Sequence, residues 1–124
     1  MEAPRALVAF PDPQQRKAIS LLLAQCGFQP VVASTIREIA VALAQQKLSL
    51  VFCGSDLPDG TFREVLQQVH QIRRVPVVVG SRTGGWEEYL NALRQGAFDF
   101  VATPCRDEEV RRILSQVPRE LSPV

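Results

Sequence analysis

Apolar residues along this chain follow two alternating rhythms. Short apolar runs at Ala6 to Phe10, Phe28 to Ala33, Leu48 to Cys53, Val75 to Val79 and Phe98 to Ala102 predict five strands. After each run the apolar positions move to spacings of three and four. Ile19, Leu22, Leu23 and Cys26 make one helix face, entered at Pro13 and ended by Gly27. Ile36, Ile39, Ala40 and Leu43 make a second, opened by Ser34-Thr35, with Thr35 and Glu38 at capping-box spacing. The turn Leu57-Pro58-Asp59-Gly60 leads to a third helix through Phe62, Val65, Leu66 and Val69. Trp86, Leu90 and Leu93 mark a fourth that stops at Gly96, and Val110, Ile113, Leu114 and Val117 a fifth that stops at Pro118.

Strands alternating with helices predict a parallel sheet covered on both faces, and right-handed crossovers leave few topologies. The run Leu48 to Cys53 is apolar apart from Ser49, as a strand buried on both faces should be. Pro30 donates no backbone hydrogen bond, so the second strand belongs at a sheet edge. A flavodoxin-like (βα)5 sandwich of strand order 2-1-3-4-5 puts it there. The expected organisation is one domain over 1–117, with 118–124 a tail or the start of a linker; no internal repeat or low-complexity segment interrupts it.

Charge adds mainly exclusions. Fourteen Lys and Arg against 13 Asp and Glu leave a net charge of +1, no electrostatic case for binding nucleic acid. Arg73-Arg74 and Arg111-Arg112 read as solvated helix faces. Cys26, Cys53 and Cys105 are odd in number and lack C-x-x-C spacing, against both a disulfide framework and a zinc site. Cys26 and Cys53 fall in apolar segments expected in the core, whereas Cys105, in a loop after Pro104, is the expected reactive thiol. No apolar run spans a bilayer, and the opening MEAPRALVAF lacks a basic region with a cleavage site. The expectation is a soluble, cytoplasmic protein with no membrane partner.

In a doubly wound sheet the chemistry belongs at the carboxyl ends of the strands. That selects Phe10 to Pro13, Gly54 to Asp56, Gly80 to Thr83 and Thr103 to Cys105. Ser55 and Ser81 have no histidine base in prospect, since the one histidine, His70, falls late in the third helix and reads as a surface or boundary residue. Gly84-Gly85 lacks the Lys-Ser/Thr of a phosphate loop and reads as a flexible loop. Asp56 and Asp59 read as exposed turn residues bonded to their own backbone.

Together with Leu57-Pro58-Asp59-Gly60, Val75 to Val79, Gln95 to Phe100, Thr103-Pro104 and Asp12-Pro13 with Arg16, these loops resemble the receiver domains of two-component response regulators, from about Arg5 to about Val117. The resemblance implies an acidic pair after the first strand for Mg²⁺, an aspartate phosphoacceptor ending the third, a hydroxyl after the fourth, and a lysine before the proline after the fifth. Here those positions hold Phe10 and Pro11, Gly54, Ser81, and Thr103; only Ser81 agrees, while Asp12 matches a position often acidic. The implied protein is a pseudo-receiver: no catalytic residues, no metal, no cofactor, not an enzyme. It would act through a protein partner or output domain. Phe100 matches the aromatic whose side chain swings on phosphorylation. Trp86, Tyr89, Arg94 and Arg106 lie on the surface of the fourth helix, fifth strand and fifth helix, through which receivers pair, so a homodimer is implied there. Thr103-Pro104 is expected to be cis. The alternative is a phosphoacceptor or small-ligand domain with a relocated site built on Asp12 and Asp56.

Overall fold

The computed structural model describes residues 3–118. In chain order it contains β1 (Arg5–Ala9), α1 (Pro13–Gln25), β2 (Gln29–Ala33), α2 (Ile36–Gln45), β3 (Leu50–Gly54), α3 (Phe62–Ile72), β4 (Val77–Ser81), α4 (Trp86–Arg94), β5 (Asp99–Ala102) and α5 (Asp107–Gln116). The five strands form one parallel sheet of order β2-β1-β3-β4-β5, the flavodoxin-like arrangement the alternation predicts. β2 is an edge strand, and Pro30 sits in it opposite Ala6.

Strand period divides the core in two. Leu7, Ala9, Val51, Cys53, Val79 and Phe100 face the cluster completed by α2, α3 and α4. Ala6, Val8, Leu50, Phe52, Val78 and Val101 face α1 and α5. Each successive side chain crosses to the other face, which explains why these runs are continuously apolar.

Element ends depart from the sequence reading where backbone chemistry decides them. β4 begins after Pro76, whose ring nitrogen carries no hydrogen for the ladder, although its carbonyl still accepts from Val51 N at 2.9 Å. On α2 the buried face is Ile36, Ile39, Ala42 and Leu43; Ala40 lies only half-buried beside it. On α4 only Ala92 is buried, while Leu90 and Leu93 are half-exposed.

The turn Leu57 to Gly60 is a small antiparallel hairpin of Asp56–Leu57 with Gly60–Thr61. Gly60 holds φ at +155°, and a Cβ there would meet Ile36 Cδ1 at 2.6 Å. Asp59 corrects the expectation of a purely local turn. Its carboxylate reaches α2, accepting from Ile36 N at 2.8 Å and Arg37 N at 3.1 Å. Those bonds hold its pKa below the ordinary value.

The cysteines also need one correction. Cys53 is fully buried and its thiol is pushed up to about 12. Cys26 is half-buried, with Arg111 Nη1 at 3.6 Å from its sulfur. Cys105 is not an activated thiol: burial, with Glu109 adding repulsion, raises it to about 11, so the nucleophilic thiolate is disfavoured. Among the described residues no helix is long and apolar enough to cross a membrane.

Candidate functional site

At the carboxyl ends of β1, β3 and β4 the chain packs hydrocarbon. Phe10 is 1% exposed and tilts against Phe52 with ring centroids 5.7 Å apart. Its ring lies over two glycines. A Cβ on Gly54 would meet Phe10 Cδ1 at 3.3 Å, and one on Gly80 would meet Phe10 Cε1 and Cζ at 3.3 Å. The same Gly80 Cβ would meet Thr103 Cγ2 at 2.9 Å, so the threonine turns its methyl toward Gly80. Thr103 is itself buried, its N–H donates to Ser81 O at 2.9 Å, and its bond to Pro104 is cis. Phe10, Gly54 and Thr103 therefore meet as one packed cluster. Gly80, which opens the selected segment Gly80 to Thr83, links them; its packing role was not legible in the sequence because it depends on which ring approaches it.

The first loop is held from α1. Asp12 caps that helix, accepting from Gln14 N at 3.0 Å, and Pro13 occupies the first turn. Arg16 Nη1 donates to Phe10 O at 2.7 Å and to Pro11 O at 3.3 Å. Pro11 is exposed and Asp56 is exposed, with Ser55 Oγ donating to Asp56 Oδ2 at 3.3 Å. Each of the two carboxylates of the relocated site is thus bonded within its own loop.

A second set of contacts runs from Ser81 to the surface. Ser81 is 2% exposed, and its hydroxyl donates to Glu88 Oε1 at 3.1 Å while accepting from Thr83 N at 3.3 Å. Glu88 was not visible as a partner in the sequence, since one helical turn of α4 must first bring it back over β4. Phe100 is buried, its ring packed directly under Gly84, whose missing side chain leaves the space. Gly84 is thus a packing position. Tyr89 meets Phe100 edge-on at 6.2 Å, and Trp86 stacks on Tyr89 at 5.5 Å and 11°. Trp86 is 71% exposed, so it does not close the core. Arg94, at the end of α4, and Arg106, at the start of α5, are exposed; His70 is exposed on α3, away from the cluster.

Comparison with known proteins agrees with the fold. The response regulator PilR of Pseudomonas aeruginosa is 25% identical over 99% of this chain and 28% of its own length. The phosphate regulon regulator PhoB of Escherichia coli is 29% identical over 98% of this chain and 55% of its own. The chain therefore spans between about a quarter and just over half of these relatives. A CheY-like receiver from Methanospirillum hungatei superposes with a TM-score of 0.83 at 18% identity, covering 93% of each chain. The receiver of the sensor histidine kinase PA1611 from Pseudomonas aeruginosa, which carries a magnesium ion in its active-site cleft, gives 0.82 at 19%, covering 93% of this chain and 97% of that one. The response regulator receiver domain profile matches residues 7–115, and the chain belongs to that family.

Proposed function

We propose that this chain is a receiver whose phosphorylation chemistry is lost and which signals by protein contact alone. The observation that carries the reading is the Phe10 ring packed over Gly54 at the end of β3. Magnesium asks for oxygen ligands in octahedral array. Phe10, Pro11 and Gly54 offer no side-chain oxygen, Asp12 engages one carboxylate oxygen in the α1 cap, and Arg16 brings a cation to the carbonyls of Phe10 and Pro11. The residues present do not fit the ion. Without an aspartate at Gly54 there is no nucleophile for a phosphoryl group, and Thr103 supplies no charge to neutralise one.

The rest of the reading stands on other features of the chain. Residues 1–117 act as the receiver unit, and the expected tail or linker start from 118 on lies outside the described residues after Pro118. The domain is not an enzyme, works in the cytoplasm, and contacts a protein partner or an output domain rather than nucleic acid. Its interface, and that of a homodimer, is the face of α4, β5 and α5. Support comes from Trp86, a large ring left in solvent and stacked on Tyr89, with Arg94 and Arg106 exposed on the same elements.

Intact-mass spectrometry after incubation with Mg²⁺ and acetyl phosphate, beside an active receiver, tests the reading. The control should gain phosphoryl mass and this protein none. A stoichiometric adduct, wherever it maps, would overturn the proposal.

A further inference from the structure

Away from the plugged pocket, the space beside α3 has a different character. α3 packs on α2, and α4 packs on β5, which leaves an opening between α3 and the carboxyl end of α4. A groove of about 710 Å³ fills it, with Leu66, Val69, Val75 and Pro76 as its apolar floor. Arg63 stands toward one end and Arg74 toward the other, with Gln67 and His70 on the α3 wall between them. A second cavity of about 410 Å³ shares Arg74, Val75 and Pro76 with the first and adds Lys47 and Arg73. Among the described residues no Asp or Glu lines either cavity.

That bias is large for a chain of net charge +1. The acidic residues of α4 and α5 gather instead in their first turns, as Glu87 and Glu88 and as Asp107, Glu108 and Glu109. Helices of a parallel sheet run against the strands, so those acids crowd the carboxyl end of the sheet while Arg73 and Arg74 precede β4 at the other end. The apolar floor thus runs from Arg74, at the amino end of the sheet, to Arg63, in the first turn of α3 at the carboxyl end, with no carboxylate lining it among the described residues.

We propose that this groove docks an acidic, partly apolar segment of a partner protein. Arg63 and Arg74 receive carboxylates at its rim, and apolar side chains on one face of the segment cover Leu66, Val69 and Val75. This is the helix-in-groove mode, in which anchors at i, i+3 and i+4 supply the buried area and charges set the orientation. A nucleic acid is the poorer occupant, because a phosphate backbone gains from cations but nothing from a hydrocarbon floor. A second copy could offer the Asp107 to Glu109 turn, but that contact satisfies both patches only if the copies close into a symmetric dimer or ring; otherwise it leaves one of each free in an open chain. The site lies apart from Phe10, Gly54 and Trp86, so it stands whether or not phosphorylation is lost.

Display of random peptides of about 12 residues, panned against the whole protein, tests it directly. Enriched peptides should be net negative with apolar residues at helical spacing. Their affinity should fall about tenfold or more with Arg63→Glu/Arg74→Glu, and equally with the uncharged block Gln67→Trp. Trp86→Ala should leave it unchanged, which separates this groove from the α4 face. All four positions are exposed, and an unchanged thermal transition shows that each variant folds. The proposal fails if nothing is enriched, if enriched peptides carry no acidic bias, or if either groove variant binds them as well as the parent. It also fails if single-stranded DNA of the same length binds more tightly than the peptides. Concentration-dependent self-association that is lost in Arg63→Glu/Arg74→Glu would assign the groove to a second copy and overturn the proposal as well.

Discussion

Phe10 works by volume. Its ring occupies space that Gly54 and Gly80 leave open, and the three positions make sense only as a set. Phe10→Ala removes a ring that is 1% exposed and should cost about 3–5 kcal/mol in urea unfolding. Gly54 has no positive φ, so a side chain there is opposed by packing and not by its backbone. Gly54→Val should then cost about 1–3 kcal/mol by pressing on the ring. In the double variant the valine methyls enter the space that the ring vacates, and the two costs should fall short of their sum by about 0.5–3 kcal/mol. Strict additivity would show that the contact does not limit the site. The sequence displays Phe10 and Gly54 at positions that the resemblance aligns with a receiver's acid and aspartate, but not that the one packs over the other.

At the scale of elements, the hydrophobic periods located the five strands of the parallel sheet and the five helices, though not the small hairpin at Asp56 to Thr61, and Pro30 located the sheet edge. What else they missed is tertiary. A period of 3.6 marks a face, but the neighbouring helices choose Ala42 over Ala40, and no period announces that Asp59 will cap a helix that begins 23 residues earlier. That cap has a pH signature. Bonds from Ile36 N and Arg37 N lower the folded pKa of Asp59 beneath its ordinary 3.8, so its contribution is full above that value and disappears as pH falls through the depressed folded one. Asn in its place accepts more weakly and does not titrate. The melting temperature of Asp59→Asn should sit below the parent at neutral pH, and the gap should close on acidification below 3.8. Glu38 and Glu64 cap their own helices in both proteins, so their titration cancels in the difference. A gap that stays constant into acid would mean that the Asp59 charge adds nothing to the cap.

For the whole molecule, the question is whether anything still couples the ends of the strands to the α4 face. The contacts are continuous from Ser81 through Glu88, and from Phe100 through Tyr89 to Trp86. A two-state element moves only under a ligand that prefers one state, and Mg²⁺ with a phosphoryl group is the ligand the proposed function removes. This has an equilibrium consequence that needs no phosphodonor. A ligand that binds only the folded state stabilises it by RT ln(1 + [L]/Kd), about 2.7 kcal/mol at a hundred times Kd, or several degrees of melting temperature at this size. Millimolar MgCl2 should therefore raise the transition of this protein no further than NaCl of equal ionic strength. Restoring oxygen ligands as Phe10→Asp/Pro11→Asp/Gly54→Asp should do two opposed things. Loss of the Phe10 ring and repulsion among three carboxylates lower the transition without metal, and the same carboxylates then bind the ion, so the transition should rise again with Mg²⁺ but not with Na⁺. A rise specific to Mg²⁺ in the unaltered protein would require a ligand set outside the Phe10–Gly54 cluster, and the case against phosphorylation would then have to be rebuilt around that set.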